Sequence, residues 1–205
     1  MRPDDRLPLA CLAVAVAATA LSRVGARDPA TWLMEVAPTL LALPVLVATS
    51  RRLRFTSMVY VALAVHALIL ATGAHWTYAE VPLGFWIRDA LGLSRNHFDR
   101  LGHLAQGFVP ALVTRELLLR TSPLRPGKWL VALVTLSVLG VSACYEFVEW
   151  WAAVLLGQGA DAFLGTQGDP WDTQWDMFMA FCGALLAQVT LGRRQDRQLA
   201  GRTAP

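Results

Sequence analysis

Charge is what this chain is short of. Only 16% of its 205 residues are Asp, Glu, Lys or Arg, against about 25% in soluble domains, while 55% are hydrophobic. That balance excludes an ordinary water-soluble domain. Cysteine is scarce too. Cys11, Cys144 and Cys182 each lie inside an apolar stretch with no paired spacing, which excludes a disulfide framework and reads as packing. No internal repeat or low-complexity segment is present. Gly157-Gln158-Gly159 and Gly165-Thr166-Gln167-Gly168 lack the strand and helix context of a phosphate loop; they read as an outer loop able to fold back over a site. The net charge of +3 does not argue for nucleic acid, because the basic residues gather at the ends of apolar segments.

What the chain has instead is long apolar runs. A membrane helix needs about 20 mainly apolar residues, and six candidates fit: 7–24, 32–49, 55–75, 99–119, 129–151 and 172–191. The expected fold is all-α, a polytopic membrane bundle of about six transmembrane helices forming one domain over residues 1–205. Ala18-Thr19-Ala20 resembles a signal-peptidase site, but Asp4 and Asp5 oppose a basic leader, so the first run is read as an uncleaved helix. Pro38 and Pro44 fall inside the second, which a membrane helix tolerates where neighbours satisfy the freed carbonyls. The fourth carries His103, Gln106, Arg115 and Glu116 and should face other helices rather than lipid. Arg115 and Glu116 fall near its inner end, where snorkelling would account for them.

Basic residues near span ends set orientation. With both termini inside, Arg and Lys divide 13 to 5 in favour of the cytoplasmic side, the arrangement expected of a bacterial-type inner membrane. The acidic residues then collect outside. Trp76 to Phe98, with its aromatics and Arg88, Asp89 and Arg95, suits an interfacial segment.

Three span ends meet at that outer side. Asp99, His103, Gln106 and Pro110 share one helical face. Glu146 and Glu149 end the fifth span, with Ser142 on the same stripe, and Asp172 and Asp176 open the sixth just after Asp169. Gly183 and Ala187 continue that last face and let another helix approach closely. Carboxylates aimed at a common volume repel unless they are protonated, paired with Arg, or bound to a cation. Asp99, His103, Glu146, Glu149, Asp172 and Asp176 are therefore the candidate catalytic residues. Of these, His103, Glu146, Asp172 and Asp176 are candidate ligands of a divalent metal, with Mg²⁺, Mn²⁺, Fe²⁺ and Zn²⁺ all compatible. Each residue alone also has a plainer reading, as a helix-dipole partner, a hydrated group, or, for Asp99, a partner of Arg95 or Arg100. His66 lies mid-span and is expected to bond a neighbouring helix. His75 lies at an outer end within possible reach of the cluster, and His97 falls roughly opposite His103.

The stretches YAEVPLGFWIRDALGLSRNHFDRLGHLAQGFVPA, YEFVEWWAA and AFLGTQGDPWDTQWDM, covering most of residues 78–179, resemble the YjdF family of bacterial inner-membrane proteins. The resemblance implies a multi-pass inner-membrane protein and no particular chemistry. A looser likeness, to VanZ-type membrane proteins associated with glycopeptide resistance, would align Asp99 and His103, Glu146, and Asp172 and Asp176 with that pattern. Three readings stay open: an intramembrane enzyme acting on a lipid or cell-envelope substrate, a non-catalytic factor with a structural polar cluster, and an ion-coupled transporter. The partners implied are the bilayer and such a substrate, not nucleic acid.

Overall fold

The computed structural model describes residues 6–157 and 161–203 and is built from helices throughout that range. They are α1 (Arg6–Ser22), α2 (Pro29–Thr49), α3 (Ser57–Trp76), a single 3₁₀ turn (Tyr78–Glu80), α4 (Pro82–Leu91), α5 (Phe98–Thr121), α6 (Lys128–Leu156), α7 (Asp161–Leu164) and α8 (Asp172–Thr203). Each expected span has become one long helix. The Gln158-Gly159 part of the expected outer loop lies outside the described residues.

Four helices, α2, α3, α6 and α8, are long and apolar enough to cross a membrane, and α1 is a shorter apolar helix. At 24 residues α5 has the length to cross, yet it buries Asp99, His103, Arg115 and Glu116 along its course. It packs most extensively on α8, and also on α3 and α6, the company a polar membrane helix requires.

Local chemistry fixes the element ends. Asp28 caps α2 by accepting the Thr31 N–H at 2.6 Å, and Pro29 follows at the first helical position, where its missing N–H costs nothing. These backbone bonds hold the Asp28 carboxyl below its ordinary range. Pro82 opens α4 and Gly92 closes it in the left-handed conformation, φ 65°, which glycine adopts without a Cβ penalty. Trp86 on α4 is 71% exposed, as an interfacial anchor would be.

Burial runs opposite to that of a soluble protein. The interior of the bundle is rich in small residues, Ala111, Ala180, Ala184 and Ala187 being fully buried, while Leu136, Val141, Trp151, Leu155 and Val189 face outward. Lipid exerts no hydrophobic force between helices, so small residues that permit close backbone contact dominate their interfaces. The α5–α8 pair is the clearest case. A Cβ added to Gly107 would strike the Ala180 carbonyl, and one added to Gly183 would strike the Leu104 carbonyl. Packing of Cys11 and Cys182 is partial, and Cys144 is exposed. Expected to pack inside, it lies on the outward side of α6.

The bundle has two chemically distinct ends. Connections 23–28, 77–97 and 165–171 lie at one, called here the acidic end; 50–56 and 122–127 lie at the other, the basic end. At the basic end α8 runs twelve residues past the expected limit of 191, to Thr203.

Candidate functional site

The site begins with the first turns of α5. Asp99 and His103 are one turn apart and both buried, with His103 Nε2 3.6 Å from Asp99 Oδ1. The glycine contact between α5 and α8 brings Asp176 against them, its Oδ2 3.9 Å from the same nitrogen. From α6 come Glu146 and Glu149. Ligand atoms of Asp99, His103 and Asp176 all lie within 4.8 Å of one another, and those of His103, Glu146 and Glu149 do so as well. An ion bound at about 2.1 Å holds its ligands about 3–4 Å apart, so small side-chain rotations bring either triad to ligand spacing.

Several polar atoms of this cluster lack hydrogen bonds among the described residues. Both Glu146 oxygens, Asp176 Oδ1, His103 Nδ1 and Ser142 Oγ are buried with no hydrogen-bond partner among the described residues. Native interiors satisfy nearly all such groups, so these atoms are the unusual feature of the cluster.

Asp172, also a candidate ligand, is placed differently. Its Oδ1 accepts from Arg95 at 2.5 Å, and Arg95 donates as well to the Thr166 carbonyl at 2.6 Å. Arg100 pairs with Asp169 at 2.7 Å and lies over the Trp175 ring. Gln167 and Asn96 exchange backbone and side-chain bonds, Asn96 N–H to Oε1 at 3.1 Å and Nε2–H to the Asn96 carbonyl at 2.8 Å. The 165–171 loop is thereby strapped to the entrance of α5. Both arginines serve aspartates of this strap, and the ion-pair contact of Asp99 is with His103.

One residue escaped the sequence reading. Glu35, on α2, is 2% exposed with both carboxylate oxygens unpartnered among the described residues. The Tyr78 backbone borders it. A lone acid inside the apolar run TWLMEVAPTL was a visible signal. Tyr78 itself fills a slot between Gly73 and Gly102, where either added Cβ would collide with its ring. Burial and then Glu35 push its phenol well above the usual range, so it remains a neutral O–H.

The other histidines have separate situations. His75 Nδ1 lies 3.0 Å from the Ser22 carbonyl, and its ring packs on Trp76, which ties α3 to α1 and takes it out of the cluster. His97 precedes α5; burial, then Arg100 and Arg95, hold its imidazole below the ordinary range. His66 was expected to bond a neighbouring helix, but its buried Nε2 has no partner among the described residues.

Arg115 and Glu116 do not snorkel. They are 5% and 0% exposed. Glu116 accepts from the Thr56 N–H at 2.9 Å and the Thr56 hydroxyl at 2.7 Å, and pairs with Arg120 at 3.2 Å. Arg115 pairs with Asp196 at 2.8 Å and bonds Gln195, which donates to the Leu112 carbonyl at 2.7 Å. The added turns of α8 supply both partners, which is why the shorter expected helix missed them.

These features define a class: a polytopic α-helical membrane protein with a buried carboxylate–histidine cluster at one end of its bundle. Within that class the chain belongs to the family described as predicted membrane protein (DUF2238), whose model matches residues 7–197. It is similar to the inner membrane protein YjdF of Escherichia coli (strain K12), 52% identical over 176 residues, which cover 86% of this chain and 84% of that protein. No solved structure matches the chain.

Proposed function

We propose that the protein is a membrane enzyme that holds a divalent cation at the carboxylate–histidine cluster and acts on a lipid or cell-envelope substrate. The observation that carries this reading is the set of buried, unpartnered atoms of Glu146, Asp176 and His103. Left as they are, such groups cost several kcal/mol each; a cation would compensate them together. The donor set, oxygen-rich with one imidazole, fits hard or borderline divalent ions. A cation held there supplies a Lewis acid for a phosphoryl or carbonyl oxygen, or an activated water. Asp99 orients His103 from one turn away. Glu35 adds a second acid and Tyr78 a hydroxyl beside the same volume. Arg95 and Arg100 neutralise Asp172 and Asp169, leaving the inner carboxylates to the ligand.

The division of basic residues, 13 to 5, supports termini in the cytoplasm and the acidic end at the outer leaflet. A reporter active only in the cytoplasm should then function when fused after Arg194. Metal analysis tests the chemistry. Protein purified after repletion with Mg²⁺, Mn²⁺, Fe²⁺ and Zn²⁺ should retain about one divalent cation per chain, and Glu146→Gln and Asp176→Asn should lose it. No retained metal in wild type overturns the reading, and cation-driven flux into proteoliposomes would replace it with a carrier.

A further inference from the structure

A second feature lies below the cluster. A cavity of about 420 Å³ opens among α1, α2, α3 and α5, where α2 packs on α3 and only lightly on α1. Its walls are almost wholly apolar and include Thr39, Leu46, Leu63, Leu70, Pro110 and Val113. His66 also lines it. Along α2 the lining extends from Pro38 to Ser50, about 18 Å at 1.5 Å per residue. That is more than half of a hydrocarbon core about 30 Å thick.

Helix register joins this cavity to the site. Thr39 lines its upper end, and Glu35 is four residues nearer the acidic end on the same helix, about 6 Å by rise and on the same face. On α5, Pro110 lines the cavity and His103 is seven residues, two turns, toward the acidic end. Two helices thus carry the polar cluster and the apolar cavity on continuous faces, one above the other. An amphiphile would meet polar partners at the top and mainly hydrocarbon below.

We propose that this cavity holds the acyl chain of a membrane lipid whose head group is bound at the carboxylate–histidine cluster. The inference rests on the enzyme reading for its head-group end and gives that reading a substrate class, an acyl lipid taken laterally from the bilayer. The environment favours the occupant, since the cavity is flanked by helices apolar enough to cross a membrane and the bilayer surrounds them with acyl chains. The chain must run from the acidic end downward, with its terminus toward Leu46 and Tyr60.

Photo-crosslinking tests this directly. Cells expressing the full chain are fed fatty acids bearing a diazirine either at the chain terminus or near the carboxyl, and crosslinked residues are mapped by mass spectrometry. The terminal label should fall on Leu46 and Tyr60, and the proximal label on Thr39 and Leu70. Outward residues of the same helix, Leu41 and Val45, 72% and 60% exposed, report ordinary lipid contact. Ala42→Trp, which fills the cavity, should cut the inward crosslinks about tenfold while leaving those at Leu41 unchanged. Bound metal is measured on the same samples. Labels spread equally over inward and outward residues, or the two labels in reversed order, would overturn the proposal. Ordered inward labels without bound metal would leave the chain site standing and remove the metal reading instead.

Discussion

Helix α5 carries buried charge at both ends, and the two ends are finished in opposite ways. At the basic end Glu116 is enclosed by Thr56 and Arg120, and Arg115 by Asp196 and Gln195. At the acidic end Glu146, Asp176, His103 and Glu35 carry atoms with no hydrogen bond of good geometry among the described residues, with only Thr173 near Glu146 and the Tyr78 backbone near Glu35. One helix, in one membrane, can therefore be supplied with complete networks, so the incomplete one is not forced by the fold. Complete polar networks rigidify a bundle. Incomplete ones cost stability, which the proposed ligand would repay.

The comparison can be broken at its strong end first. Glu116→Ala should cost about 3–5 kcal/mol, because it removes three buried hydrogen bonds and leaves the Thr56 donors without a partner. Protein abundance in the membrane should fall with it. Wild-type abundance and thermal stability would mean that the basic-end network does not hold the bundle. Gly183→Leu should cost about 1–3 kcal/mol by forcing α8 off the Leu104 carbonyl. It should also weaken metal retention, since the same contact carries Asp176 to His103. A variant destabilised as expected that nevertheless retains metal would detach the site from that packing. The smallest effect belongs to Asp28→Ala, a carboxylate at the acidic end with a purely structural duty. Loss of its α2 cap should cost about 1 kcal/mol and leave metal content unchanged. A metal loss there would mean that acidic-end carboxylates act nonspecifically.

Much of this architecture was legible in the residues. Six apolar runs became six long helices, and the face through Asp176, Gly183 and Ala187 does meet α5, because small-residue spacing is a local property of one helix. Convergence of Asp99, His103, Glu146, Glu149 and Asp176 followed from their common depth at span ends. What could not be read depended on partners distant in sequence. Asp172 lies near Asp99 and Asp176 as expected, but its pairing with Arg95 was not legible, since no periodicity encodes how a loop closes. Arg115 and Glu116 read as snorkelling because α8 was expected to stop before Gln195 and Asp196. A polar surface on a membrane-spanning helix and its polar extension beyond the membrane are the same helix, but hydropathy ends where the bilayer does. Glu35 was missed for a simpler reason: a single acid in an apolar run has no spacing to reveal it.

The central claim is that the acidic-end cluster exists to bind and not to hold the bundle together. The most direct test is the thermal stability of metal-stripped Glu146→Gln beside metal-stripped wild type in the same lipid nanodiscs. Glu146 has no hydrogen bond of good geometry among the described residues and has His103 and Thr173 as neighbours, so the substitution removes a buried charge while nearly keeping shape. The variant should melt at or above the wild-type temperature, and divalent cations should raise the melting temperature of wild type but not of the variant. A Glu146→Gln protein destabilised by about 3–5 kcal/mol, as Glu116→Ala should be, with no cation response in wild type, would contradict the account.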